Sequence, residues 1–362
     1  MAAMKLEAEI ANDMRPFLVQ YMDGSIMRLA TSPYVPASEV PGKTRVATRD
    51  VVIEPSTGVS ARLFLSVDAL RWDKNKKLPL IVYYHGGGFC SGSAFSKLFH
   101  RYAESLCART GAVVVSVDYR LAPEYPIPAA YDDAWVALRW AASLSDPWLS
   151  EYADPERMFL AGESAGGNIV HNMAVRAAAA PDGQHMSIEG IVLLQPFFWG
   201  SERQPSEVDR DDRPLFLPEW VDTLWPFLTA GTAGNDDPRL NPPPELVMAL
   251  PCRRALITVA SKDLVRDRGY QYSTWLRLGK QCHGEFFESK GEDHAFHLNP
   301  WAKASAGKLM DRVVDFISRT KLYPITYDAK PRRIIVPKIR LQCISPNFIT
   351  PRDLSMSMRA LV

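Results

Sequence analysis

Continuous apolar runs recur along the chain, and stretches of helical periodicity lie between most of them. The runs are Leu78–Tyr84, Ala112–Val117, Arg157–Ala161, Gly190–Gln195 and Arg254–Ala260, with a weaker one at Gly284–Ser289. A run with no polar face suits a strand covered on both sides. Helical patterns follow over Ser96–Arg109, Ala129–Ser143, from near Ser164 to about Ala180, and over roughly Pro300–Arg319. Strands alternating with helices call for right-handed crossovers and a mostly parallel sheet with helices on both faces. The fold class is therefore α/β. Two further strands, Asp50–Ile53 and Ser60–Leu65, precede the alternation.

Two segments break the rhythm. Residues 1–45 mix a short amphipathic stretch with a polar, proline-dotted one, and residues 197–247 are rich in Pro, Trp and Phe. The second, with Trp199, Phe216, Trp220, Trp225 and Phe227, lies where a helical cap could be inserted over the sheet. After Lys321 the chain carries Lys330, Arg332, Arg333, Lys338, Arg340, Arg352 and Arg359 among several prolines, without sustained periodicity. The expected plan is one domain over 1–321, capped by about 1–45 and 197–247, followed by a poorly ordered basic tail over 322–362.

Charge and cysteine content narrow the partners. Lys plus Arg number 42 against 41 Asp plus Glu, a net charge of +1. That balance argues against nucleic acid or an anionic membrane as the main partner. No apolar run approaches the roughly 18–20 residues that span a bilayer. The N-terminus has no basic segment followed by a long apolar one, so no secretory signal is read. Cys90, Cys107, Cys252, Cys282 and Cys343 are scattered and form no CxxC pair. They read as free thiols in a reducing compartment, with the cytoplasm as the expected address. No clustered ligand set suggests a metal, and no organic cofactor is expected. Oligomeric state is not legible.

Gly162-Glu163-Ser164-Ala165-Gly166 fits G-x-S-x-G and lies between an apolar strand and a helix. A strained strand–turn–helix that exposes a nucleophilic serine needs that setting. Upstream, His85-Gly86-Gly87-Gly88 ends another strand. Its glycines allow close backbone approach, and no Lys-Ser/Thr follows to make it a phosphate loop. The N–H groups of Gly86 and Gly87, with that of Ala165, are the expected oxyanion donors, each worth about 3–4 kcal/mol in the transition state. Gly88 and Phe89 beside them, with Trp199 and Phe216 from the insertion, are the candidate substrate contacts. The aromatics point to an apolar or aromatic ester, although in an insertion they serve as often for packing.

An acid and a base should follow the serine in that order. His171 is on the helix that Ser164 opens, His185 is in a polar connection, and His283 starts a strand at its wrong end. His294 and His297 remain, and His294, on the loop after the strand, is better placed. Asp263 sits just past the strand ending at Ala260, where a ligand-facing residue belongs. Asp267 is one turn further and reads as a brace for the loop. Asp293 adjoins His294, and neighbouring side chains diverge. Asp263 would fix the His294 tautomer so that the imidazole could deprotonate Ser164.

These motifs, with Asp118-Tyr119-Arg120-Leu121-Ala122-Pro123-Glu124, Pro128-Ala129-Ala130-Tyr131-Asp132-Asp133 and Gly162–Gly167, resemble the hormone-sensitive-lipase-like α/β-hydrolases. Asp146-Pro147-Trp148-Leu149 and Gly291-Glu292-Asp293-His294 are similar to the plant carboxylesterase branch. The resemblance covers roughly residues 10–320. It implies a two-part cap and hydrolysis of small acyl esters. The branch also holds gibberellin receptors, which have lost the catalytic histidine and altered the oxyanion motif; here His294 and the HGG sequence are intact. Dehydratases and alkaloid cyclases share the scaffold, so a non-hydrolytic lyase is the alternative. The tail beyond Lys321 does not resemble the family.

Overall fold

The computed structural model describes residues 9–68, 77–180, 186–208, 216–279, 281–299 and 301–319. Strands β1 (Ile10–Met14), β2 (Leu18–Tyr21) and β3 (Ile26–Arg28) form a small antiparallel sheet. The turn between β1 and β2 closes with Phe17 N–H donating to Met14 O, and it carries the Phe17 ring toward the site. Within the expected cap segment of about 1–45, the backbone pairs as these short antiparallel strands, which satisfy its hydrogen bonds.

The main sheet begins with β4 (Val46–Glu54) and β5 (Val59–Ser66). It continues through β6 (Leu78–Tyr84), helix α1 (Lys97–Thr110), β7 (Val113–Asp118), α2 (Ala129–Ala142) and α3 (Pro147–Tyr152). Then come β8 (Ala153–Glu163), α4 (Ala165–Ala178), β9 (Ile188–Leu194), and the short helices α5 (Pro205–Val208), α6 (Pro218–Leu228) and α7 (Pro244–Met248). β10 (Arg254–Ala260), α8 (Arg266–Gly279), β11 (His283–Ser289) and α9 (Lys303–Ser318) complete the described chain. The strand order is β11-β10-β9-β8-β6-β7-β5-β4. The six strands from β11 to β7 are parallel, and β5 and β4 add on antiparallel.

Period-two alternation sends each apolar run into two layers. In β6, Leu80, Val82 and Tyr84 face the layer of α2 and α4, while Ile81 and Tyr83 face that of α1 and α9. In the second layer Phe316 of α9 meets Phe159 of β8 edge-on, with ring centroids 6.1 Å apart. Each such fully buried ring contributes about 1.5–3 kcal/mol. Cys90, Cys107, Cys252 and Cys282 are buried free thiols. The expected tail, 322–362, lies outside the described residues.

Candidate active site

The chain reverses at Ser164, between β8 and α4, with φ 54° and ψ −119°. A non-glycine residue there stores roughly 1–3 kcal/mol of strain and needs surrounding contacts to persist. Ser164 N–H donates to Leu194 O at 3.0 Å, and Ser164 O accepts from Phe197 N–H at 2.9 Å. Glycines make the turn fit. A Cβ on Gly166 would lie 1.9 Å from Tyr84 O, and one on Gly162 would lie 2.5 Å from the Gly166 backbone.

Two neighbouring parallel strands deliver the other groups. β10 and β11 pair in register up to Ala260 with Ser289. Beyond them the loops are stitched together, with Ser261 N–H donating to Ser289 O and Lys262 N–H to Glu292 O. Asp263 and His294 therefore leave the same sheet edge side by side. His294 Nε2 is 2.8 Å from Ser164 Oγ, and His294 Nδ1 is 2.8 Å from Asp263 Oδ2. Asp263 is buried, and its Oδ1 accepts from Val265 N–H at 3.0 Å, which fixes the carboxylate. Burial alone would push His294 down, but the Asp263 charge and hydrogen bond outweigh it and raise the imidazole above its ordinary 6.5. Asp293 Oδ1 accepts the backbone N–H of His294 at 2.7 Å and so supports the loop, away from the ring.

The other histidines lie elsewhere. His171 is buried in α4, with Nδ1 3.0 Å from Tyr272 Oη. His297 is buried against Tyr102, and burial pushes its pKa to about 3. His185 lies outside the described residues. Asp267 accepts from Ser206 N–H at 2.8 Å and braces the insertion.

The glycine run corrects the expected donor set. Gly86 N–H points into Glu163, 2.5 Å from Oε1, and is therefore not free for a substrate. Among the described residues, Gly87 and Gly88 N–H donate to no protein acceptor. Ala165 opens α4, where first-turn amides lack intrahelical acceptors.

A recess with about 370 Å³ of empty space, its open mouth included, lies over Ser164. Gly88 and Phe216, two of the candidate contacts, line it. Phe17, Phe197, Trp220 and Leu224 line it as well, and the sequence did not single them out for this. Phe216 stacks on Trp220 at 5.2 Å and on Phe17 at 5.7 Å. Phe89 and Trp199 are corrected: neither lines the recess. Phe89 is fully buried between Tyr131 and Trp225, its backbone turned inward at φ 59°. Trp199 is fully buried, with Nε1–H donating to Asp222 at 2.9 Å and Arg203 and Arg268 over its ring. Among the described residues, no cluster of three or more His, Cys, Asp or Glu side chains is arranged to hold a metal ion.

The sheet, with a serine at the tight turn after its central strand, defines an α/β hydrolase. Residues 81–298 match the family described as alpha/beta hydrolase fold. The chain is 38% identical to probable carboxylesterase 13 of Arabidopsis thaliana, over 87% of this chain and 100% of that protein. It is also 38% identical to the chloroplastic tuliposide A-converting enzyme 1 of Tulipa gesneriana, over 86% of this chain and 79% of that protein. Among solved structures, it resembles an esterase of Pyrobaculum calidifontis (27% identity, TM-score 0.62, 75% of this chain and 84% of that one). It also resembles the carboxylesterase EstE1 from a metagenomic library (28% identity, TM-score 0.63, 78% and 90%). The chain belongs to the plant carboxylesterase family of hormone-sensitive-lipase-like α/β hydrolases, and is an enzyme of the carboxylic-ester hydrolase class. The expected cytoplasmic address is overturned. Tulip relatives are named chloroplastic or amyloplastic. Free thiols separate oxidising from reducing compartments, but do not separate one reducing compartment from another.

Proposed function

We propose that the chain hydrolyses esters of small, apolar acyl groups through an acyl-enzyme on Ser164. The observation that carries this reading is the continuous hydrogen-bonded row from Ser164 Oγ through His294 to the buried Asp263. His294 Nε2 takes the serine proton as Oγ attacks the ester carbonyl, and Asp263 stabilises the imidazolium. The negative oxygen is met by the Gly87, Gly88 and Ala165 amides. His294 then gives its proton to the leaving alcohol. Water, deprotonated by His294, cleaves the acyl-enzyme and restores Ser164. The N-terminal sheet and the 197–247 insertion serve as a two-part cap that sets acyl size. The test is hydrolysis of p-nitrophenyl esters of increasing chain length, with Ser164→Ala as control. Equal turnover by the control would refute the reading. A lyase remains the second reading, because the tulip relatives are named converting enzymes rather than esterases. Release of a free acid from the native substrate decides between the two.

The raised His294 pKa gives a signed prediction. Only the neutral imidazole can accept the serine proton, so kcat/KM falls as pH drops through the His294 pKa. The acid limb should inflect above 6.5. Asp263→Asn removes the charge that raises it, so the inflection should move down and kcat should fall by about 10³–10⁴. A wild-type inflection at or below 6.5 counts against the assigned pair.

The stacked Phe17, Phe216 and Trp220 rings wall the recess, so Trp220→Ala should lengthen it. The ratio of kcat/KM for p-nitrophenyl octanoate over acetate is expected to rise by about 10-fold, the scale of one or two methylenes in an apolar pocket. An unchanged ratio would remove Trp220 from the wall.

A further inference from the structure

The carboxyl of Glu163 ties the serine turn to the glycine run. It is fully buried at the end of β8, directly before Ser164. Its Oε1 accepts from Gly86 N–H at 2.5 Å, and its Oε2 accepts from Tyr83 Oη–H at 2.5 Å. Both partners belong to the end of β6 and the residues just past it. The approach is close throughout, since a Cβ on Gly86 would lie 3.0 Å from Glu163 O and 3.3 Å from Ser164 Cβ. Burying an ionisable side chain is costly unless it is hydrogen-bonded, and a leucine of similar volume would fill the space without that cost. The polar group therefore has work that an apolar one cannot do.

We infer that Glu163 is a positioning residue, whose hydrogen bonds to Gly86 and Tyr83 hold the glycine run so that the Gly87 and Gly88 amides meet the oxygen on the Ser164 adduct. The inference rests on the reading of Ser164 given above. Gly86 spends its own N–H on this anchor, and the next two amides are left free. Burial pushes the Glu163 carboxyl up to about 8, against the hydrogen bonds and the nearby His294, which lower it. Both carboxyl oxygens accept, one from Gly86 N–H and one from Tyr83 Oη–H. The role then belongs to hydrogen bonding and not to negative charge.

Glutamine has the same reach: its amide oxygen accepts from Gly86 N–H, and its amide N–H donates to Tyr83 Oη, which reverses the second bond but keeps the tie. Glu163→Gln should keep kcat for p-nitrophenyl acetate within about 3-fold of wild type. Glu163→Ala should lower kcat by about 30- to 100-fold and leave KM within about 3-fold, because the oxyanion contacts strengthen in the transition state. Affinity for an aryl trifluoromethyl ketone, which forms a tetrahedral adduct on the serine, should weaken by the same factor as kcat/KM. Circular dichroism checks that each variant is folded. If the alanine variant does not fold, Glu163→Asp replaces it. Its shortened carboxyl cannot span Gly86 and Tyr83 together, and it should lose about 10-fold in kcat at constant KM. A folded alanine or aspartate variant with wild-type kcat overturns the inference, as does a loss confined to KM. So does a glutamine variant as impaired as alanine, which would assign the role to charge. Failure of the Ser164 reading itself shows separately, as full activity in Ser164→Ala.

Discussion

Replacing Ser164 with alanine is expected to lower ester turnover by about 10⁴-fold or more, equivalent to about 5.5 kcal/mol of transition-state stabilisation. His294→Ala should cost about the same, and the double variant little more than either, because the two side chains act as one unit. The motivation is the direct contact of Ser164 Oγ with His294 Nε2 at 2.8 Å. Without the imidazole the hydroxyl keeps its proton, and without Oγ the imidazole has nothing to deprotonate. Stability should change little, since one hydrogen bond is worth about 1 kcal/mol. Steady-state turnover of p-nitrophenyl acetate checks the rates, and a thermal melt checks the fold. A variant that keeps a tenth of wild-type kcat would end the assignment.

The second large effect is on stability. Gly166→Ala places a methyl 1.9 Å from Tyr84 O and 2.8 Å from His85 O. Both atoms are backbone, so no side chain can swing aside, and α4 must move away from β6. Overpacking at a rigid contact usually costs 1–3 kcal/mol, and a contact this short should reach about 3 kcal/mol or more. Melting should fall by roughly 6–12 °C for a domain of this size. Gly307→Ala is the internal control. It lies in α9 with open space around its Cβ, and its helix gains from alanine, so melting should hold or rise slightly. If Gly166→Ala melts within 2 °C of wild type, the close approach of α4 to β6 is not the constraint described.

The contrast between what the sequence disclosed and what it hid follows from burial. β6, β7 and β10 are covered on both faces, so their residues form unbroken apolar runs that mark the strands directly. β1 was hidden because four of its five residues are exposed. Helix α8 escaped notice for the opposite reason. Its buried face mixes Tyr272 and Leu276 with Arg268, Gly269 and Ser273, and Arg268 is held by Glu207 at 2.7 Å, so its apolar stripe is broken. At the candidate site, strand ends and chain order single out Ser164, His294 and Asp263, and the structure brings these three within hydrogen-bonding distance. Of the expected amide donors, Gly86 is engaged by a side chain. A glycine run shows that amides are available, but which amide is already engaged depends on a carboxylate 77 residues away in sequence. Glu163 itself filled a variable position of the motif. Phe89 and Trp199 were misplaced because an aromatic beside a site looks the same in sequence whether its ring faces the recess or the core.

The wall over Ser164 is assembled from two pieces of chain that lie about two hundred residues apart, the Phe17 turn and the Phe216–Trp220 stretch. Ser164, Asp263 and His294 follow the ends of three strands of a separate sheet. On the reading proposed above, selectivity and chemistry are thereby inherited through different parts of the gene. A lineage could exchange one acyl group for another without touching the reactive row, but only if both pieces drifted together. A larger ring at residue 17 demands a smaller one at 216 or 220. Substrate choice in such an enzyme is a joint trait of two distant codon clusters, and change in one alone leaves a gap or a collision in the wall.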